Sequence, residues 1–161
     1  DRLVSVQQKI DGKWQKYPVT FYDTDYPKKG AQTFFSGGAG LSSTAKDYAT
    51  FSQLYLNQGE LNGVRLLSRT TVQTILSNQI GDIMKGGKNY GLAFGLVNQL
   101  GQDLGGDGSV GTFDWGGYFN TQYFADPQEQ IIGIIMKQTQ GDVKDDTGWE
   151  FRQMVGASID N

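Results

Sequence analysis

Trp115-Gly116-Gly117 joins two strand-like runs and is the tripeptide best suited to chemistry in this chain. Its glycine pair leaves the backbone from Gly116 to Tyr118 uncovered by side chains, so the amides there can approach a ligand closely. Read alone, the tripeptide also fits an aromatic plug followed by a strand bend. Ser43-Thr44-Ala45-Lys46 is a second pattern. A serine that opens a helix with a lysine one turn later can give up its proton and act as a nucleophile. Helices also open with serine because its hydroxyl caps free amides. Asp103, Asp107 and Asp114 offer carboxylates, but their spacing matches no acid–base or calcium motif and reads as turns. Asp23 and Asp25 have no further acidic ligand at a recognised spacing and read as solvated loop. No metal and no cofactor is expected. Histidine and cysteine are both absent. Their absence excludes Ser-His-Asp catalysis, His- or Cys-held zinc, thiolate chemistry and disulfides within the chain. Serine chemistry assisted by lysine and tyrosine, a carboxylate pair, or groups on another segment remain.

The elements that must hold these residues follow from apolar period. Ala45, Tyr48, Phe51, Leu54 and Tyr55 recur at helical spacing and predict a helix over 44–57, capped by Ser43 or Thr44 and ended by Gly59. Asn62-Gly63 makes a tight turn, and Ser68 caps a second helix over 69–78 with Val72, Ile75 and Leu76 on its buried side. The period then falls to two. Tyr90, Leu92, Phe94 and Leu96 predict a half-buried strand, and 99–108 reads as a glycine-rich turn region. Strands follow over 110–115, 118–125 and 130–138. Ile131-Ile132-Gly133-Ile134-Ile135-Met136 lacks alternation, so that strand is expected to be covered on both faces. Phe151, Met154, Val155, Ser158 and Ile159 share one stripe of a closing helix over 147–159. Residues 1–36 open β-prone at Leu3-Val4-Ser5-Val6, turn at Asp11-Gly12, loop at Tyr26-Pro27-Lys28-Lys29-Gly30, and are otherwise irregular. The expected organisation is one partial domain: loop and helical segment over 1–89, antiparallel strands and C-terminal helix over 90–161.

Composition bounds the partners. A chain of 161 residues fits one ordinary domain, able to bury about 70% of its unfolded surface. At 37% hydrophobic residues and a mean hydropathy of −0.45, it is lean for a self-sufficient core. A net charge of −3 and a pI near 4.8 supply no basic footprint for nucleic acid. No apolar run is long enough to span a membrane. The opening Asp1-Arg2-Leu3-Val4-Ser5-Val6 turns polar at Gln7, unlike a secretory signal.

Four blocks in fixed order resemble the serine β-lactamase-related family, which joins class C β-lactamases, D-alanyl-D-alanine peptidases and β-lactamase-like esterases. They are the stretch from Gly37-Gly38-Ala39-Gly40-Leu41-Ser42-Ser43-Thr44 to Ser68, then Tyr90-Gly91-Leu92-Ala93-Phe94-Gly95, Gly111-Thr112-Phe113-Asp114-Trp115-Gly116-Gly117, and Asp126-Pro127. The resemblance covers most of the chain, from Asp1-Arg2-Leu3 onward, but only the C-terminal part of the family's longer domain. It implies an α+β fold: the C-terminal half of a β-lactamase/transpeptidase-like fold, with an antiparallel sheet, a C-terminal helix and part of the helical lobe. Ser43 then sits in a block downstream of the family's nucleophile and is a helix cap. Tyr118-Phe119-Asn120 matches the family's Tyr-x-Asn, but that motif lies earlier, on a loop, so the match here is a coincidence on a strand. Trp115-Gly116-Gly117 takes the place of the third motif, which is Lys-Thr-Gly in class C enzymes and begins with His or Trp in related peptidases and esterases. Trp115 aligns with the lysine, Gly116 with the threonine and Gly117 with the glycine. The resemblance makes the backbone amide of Tyr118 one of two oxyanion donors. Loss of the lysine cation and threonine hydroxyl points away from β-lactam carboxylates and toward esters.

The implied function is that of the C-terminal portion of a bacterial serine hydrolase, working through an acyl-enzyme on esters, amides or β-lactams. The segment alone is expected to be inactive, since the nucleophile is absent. Its expected partners are a small ester, amide or peptide substrate and the missing N-terminal half, with no nucleic acid and no membrane span. Uncovered apolar surface and an open strand edge favour self-association. The family resemblance implies a periplasmic or secreted setting. Two other readings stay open: a non-catalytic relative that holds a peptide in the same groove, and an independent structural module.

Overall fold

The switch of apolar period marks where helices give way to sheet. The computed structural model describes residues 3–30, 33–38, 40–140 and 145–159; Asp1, Arg2 and Ala39 of the blocks quoted above lie outside them. Near the N-terminus, β1 (Gln7–Ile10) and β2 (Lys13–Lys16) form a hairpin about Asp11-Gly12, both left-handed at φ +49° and +77°. β1 also pairs in parallel with a short strand near the C-terminus, described below. The strand-like opening expected at 3–6 is not strand; the sheet begins just after it, at Gln7, in a stretch otherwise expected to be irregular. Where a loop was expected, residues 26–29 form one helical turn, α1 (Tyr26–Lys29), with Pro27 in the first turn, where its missing N–H costs nothing.

The first long helix, α2 (Ala45–Leu56), starts at Thr44, whose hydroxyl accepts from the Asp47 amide at 3.2 Å. Ser43 is therefore not the cap; it stands one residue earlier. β3 (Glu60–Leu61) and β4 (Val64–Arg65) turn about Asn62-Gly63, and Ser68 caps α3 (Arg69–Ile75) by accepting from Thr71 N at 3.0 Å. That helix ends three residues before the expected 78. The carbonyl of Ile75 is taken by Leu92 N at 3.0 Å, and Gln79 N donates to Tyr90 O at 2.8 Å, so the following segment competes for the helix's last turn.

The sheet is an antiparallel meander of β5 (Lys88–Tyr90), β6 (Gly95–Val97), β7 (Phe113–Gly116), β8 (Gln122–Asp126) and β9 (Ile131–Ile135), ordered as numbered. The single strand expected over 90–96 is instead a hairpin. Gly91 N donates to Phe94 O at 2.9 Å and reverses the chain, leaving Leu92 exposed. Gly91 is required there, because a Cβ would lie 2.1 Å from the Ile75 carbonyl oxygen. The expected turn region over 99–108 begins with a helix, α4 (Gln99–Leu104), capped by Asn98 Oδ1 accepting from Gly101 N at 3.0 Å. The strand expected over 118–125 starts only at Gln122, with residues 118–120 in the connection.

One sheet face packs on α2 and α3 through Tyr55, Leu56, Val72, Phe94, Leu96, Phe113, Tyr123 and Ala125, all buried. The other face carries the closing helix α5 (Thr147–Ala157), whose Phe151 packs on Phe124. β9 meets α2 on one side and α5 on the other, as its lack of alternation predicts. Gly133 fits under the Phe124 ring, where a Cβ would lie 2.2 Å from a ring carbon. After β9 the chain forms β10 (Thr139–Gln140), the parallel partner of β1.

The β8–β9 turn depends on Asp126, a buried carboxylate that accepts from Ser109 N at 2.8 Å, Gln128 N at 2.9 Å and Glu129 N at 3.2 Å. Burial alone pushes this carboxyl upward, but those amides outweigh it and hold it below its ordinary value of 3.8. With the folded value depressed, the stabilisation is complete above the unfolded value and is lost as pH falls through the folded one. Asp126→Asn is expected to cost about 2 kcal/mol in urea denaturation at neutral pH. The gap from wild type should close as the pH drops through the acid range.

Candidate active site

The site is built on a mismatch of strand lengths. β7 pairs with β8 along its whole length, Phe113↔Ala125 through Gly116↔Gln122, and Gly117 N continues the ladder to Thr121 O at 2.7 Å. On its other side β7 pairs with β6 only through Asp114↔Gly95. Antiparallel strands point successive backbone pairs to opposite neighbours. Val97 N donates to Thr112 O at 2.9 Å, so Thr112, Asp114 and Gly116 are the residues directed at β6. β6 ends opposite Asp114, so the backbone groups of Gly116 face no strand among the described residues. One residue past Gly117, Tyr118 N–H donates to no acceptor among the described residues. Tyr118 O accepts from Gln140 Nε2 at 3.0 Å.

Beside this edge lies a cavity of about 510 Å³ whose walls include Tyr90, Trp115, Gly116, Gly117, Tyr118 and Phe151. Trp115 packs its ring edge-on against Tyr90, at 5.5 Å between centroids, and stays 49% exposed; it plugs no core. Neither glycine is demanded by the fold. A Cβ would come no closer than 3.5 Å at Gly116 and 3.6 Å at Gly117, and neither has a left-handed φ. The backbone of both glycines lines the cavity. The Tyr118 ring, 57% exposed, rests edge-on against Phe21, and a hydrogen bond with Tyr17 raises its phenol above the ordinary range. The Tyr123 phenol, beneath the edge on the helical side, is pushed up by burial and by Tyr48.

Asp103, Asp107 and Asp114 are not equivalent turn residues. Asp103 is in α4, Asp107 is in the loop that follows, and Asp114 is a buried strand residue. Asp114 Oδ2 accepts from Lys88 Nζ at 2.6 Å and Arg152 Nη1 at 2.5 Å. Asp107 lies within 3.8 Å of the same two cations, and the guanidinium stacks over Phe124 at 4.9 Å. The network joins β5, β7 and α5 one residue before Trp115. Sequence reading missed it, although alternation hinted at it: Asp114 points away from the face that Phe113 and Trp115 share.

Ser43 is exposed, and its hydroxyl donates to its neighbour's carbonyl, Thr44 O, at 3.3 Å. No hydrogen bond joins it to Lys46 among the described residues, and it does not line the cavity. Asn120 lies in the β7–β8 connection rather than on a strand.

The chain belongs to the Beta-lactamase family, whose model matches residues 5–157. Protein Rv1367c and the uncharacterized protein MT1414, both of Mycobacterium tuberculosis, are each 32% identical over 118 residues, covering 66% of this chain. The fold is shared with EstCE1, a hydrolase with promiscuous acyltransferase activity, at a TM-score of 0.71 and 17% identity over 92% of this chain. It is shared also with the simvastatin synthase LovD from Aspergillus terreus, at a TM-score of 0.73 and 14% identity over 99% of this chain. The chain spans 29% of the length of the mycobacterial relatives and 42% and 44% of the two solved structures. The α+β architecture with a C-terminal helix is that of β-lactamase-fold hydrolases.

The ion network generates a prediction. Asp114→Ala leaves Lys88 and Arg152 with only the more distant Asp107 carboxylate, at 3.8 and 3.6 Å, while the Arg152 side chain is only 10% exposed, and should cost about 3 kcal/mol in urea denaturation. Adding Arg152→Met to that variant should recover part of the loss. Equal and additive losses would show that the pair is not coupled.

Proposed function

We propose that this chain is the C-terminal part of the catalytic domain of a serine acyl hydrolase, with β7 as one wall of its substrate groove. In this reading Trp115, Gly116 and Gly117 line the acyl site, and the Tyr118 backbone amide is one of two donors to the oxyanion of the tetrahedral intermediate. The nucleophilic serine, with the groups that activate it, comes from the other part of the domain. The single observation that carries the reading is the Tyr118 N–H, which has no acceptor among the described residues, on an edge that packing does not require to be bare. Preorganised donors of this kind are worth about 2.7–4 kcal/mol each in acyl transfer.

The substrate class follows from what flanks the edge. Trp115 offers an apolar, half-exposed face and no positive charge, and the nearest cations, Lys88 and Arg152, are already neutralised by Asp114 and Asp107. A carboxylate-bearing β-lactam would find no free partner there, whereas an uncharged ester needs none. The full-length protein should therefore hydrolyse a p-nitrophenyl ester with a higher kcat/KM than a chromogenic cephalosporin. A clear preference for the cephalosporin would overturn the assignment.

The isolated 161-residue chain is expected to be silent. Incubated with a fluorophosphonate probe, it should remain unlabelled, as the exposed Ser43 has no general base bonded to it among the described residues. Stoichiometric labelling that disappears in Ser43→Ala would place the nucleophile in this chain and defeat that part of the proposal.

A further inference from the structure

Residues 117–121 connect β7 to β8 with a three-residue tip closed by a left-handed residue. Gly117 N donates to Thr121 O at 2.7 Å, Asn120 N donates to Gly117 O at 2.9 Å, and Asn120 has φ +67°. The second of these bonds fixes more than a turn. Gly117 C=O and Tyr118 N–H belong to one trans peptide, whose two dipoles point in opposite directions. Because Asn120 draws the Gly117 oxygen into the hairpin, the Tyr118 N–H must point out of it.

Glycine would adopt the left-handed conformation more readily than asparagine does. The asparagine side chain, however, makes contacts that glycine cannot. Asn120 Nδ2 lies 3.1 Å from Thr139 O, 3.1 Å from Thr139 Oγ1 and 3.2 Å from Asp145 Oδ2. The Asp145 carboxylate is itself held by Lys137 Nζ and by Thr147 N at 3.2 Å, and the lysine keeps it below its ordinary range. Thr139 N donates to Phe119 O at 3.1 Å, and Thr121 Oγ1 donates to Lys137 O at 2.9 Å. The tip is thereby fastened to β10 and to the start of α5.

We propose that Asn120 is a positioning residue, whose side chain anchors the β7–β8 tip and so holds the Tyr118 N–H in the direction the oxyanion requires. The proposal deepens the acyl-hydrolase reading and rests on it for its kinetic consequence. The coincidental Tyr-x-Asn match thus contains a functional asparagine that acts through the backbone rather than on the substrate.

Asn120→Gly is the informative variant, since it keeps the left-handed backbone and removes only the side-chain anchor. In the full-length protein it should lower kcat for a p-nitrophenyl ester about tenfold and leave KM within about twofold, the pattern of a contact made only in the transition state. Hydrogen exchange across 117–121 should quicken while exchange in α2 stays as in wild type. Asn120→Ala, which also strains the backbone, should lose more. Wild-type kcat and wild-type exchange in Asn120→Gly would overturn the proposal, as would a lowered Tm with kcat per folded molecule unchanged. If the wild-type protein shows no ester turnover, the acyl-hydrolase reading fails. The exchange measurement still decides the anchor: faster exchange across 117–121 supports it, and unchanged exchange refutes it.

Discussion

β6 stops opposite Asp114 while β7 runs on through Trp115 and Gly116, and the site follows from that difference in length. A strand backbone buried without partners is unfavourable, so unpaired groups persist only where water or a ligand reaches them. Here the early stop is enforced by the 91–94 turn, which Gly91 permits by fitting against the Ile75 carbonyl at the end of α3. The helical layer thus sets where β6 begins, and β6 sets how much of β7 is left bare. The opposite side of β7 is fully paired to β8, which keeps the exposed edge rigid.

Two sets of contacts hold this edge from behind. Upstream, Asp114 is gripped by a strand lysine and a helix arginine on the α5 face, one residue before Trp115. Downstream, the hairpin tip is fastened through Asn120 to β10 and Asp145. Between them lie Trp115, Gly116, Gly117 and Tyr118, where no strand among the described residues pairs with the β6-facing side of β7. Catalytic amides must be aimed before the reaction rather than during it. For the oxyanion role proposed for Tyr118, fixed flanks with a bare centre meet that requirement without covering the amide.

Local signals made part of this legible in the sequence. The face of α2 is continuous over three turns and Ser68 is a strong cap, so both helices could be read directly, the α2 start to within one residue, between Ser43 and Thr44. The Ile131–Ile135 run announced a strand with cover on both sides. The β5–β6 hairpin was hidden because Tyr90, Leu92, Phe94 and Leu96 alternate well enough for one strand, and what breaks it is a contact with Ile75, distant in sequence. α4 was obscured by Gly101 and the glycines after Leu104, which local propensity counts against a helix. The role of Asp114 could not be read locally, since its partners lie 26 and 38 residues away. The resemblance alone suggested a motif role for Trp115-Gly116-Gly117, whereas the direction of the Tyr118 amide, away from β8, emerged only from strand register.

The most direct measurement is a crystal structure of the full-length protein trapped with a p-nitrophenyl phosphonate, whose adduct mimics the tetrahedral intermediate. The account predicts a phosphoryl oxygen about 3 Å from Tyr118 N, with the adduct lying along Gly116 and Gly117. A phosphoryl oxygen bound by other donors, with the Tyr118 amide remote from the adduct, would contradict it.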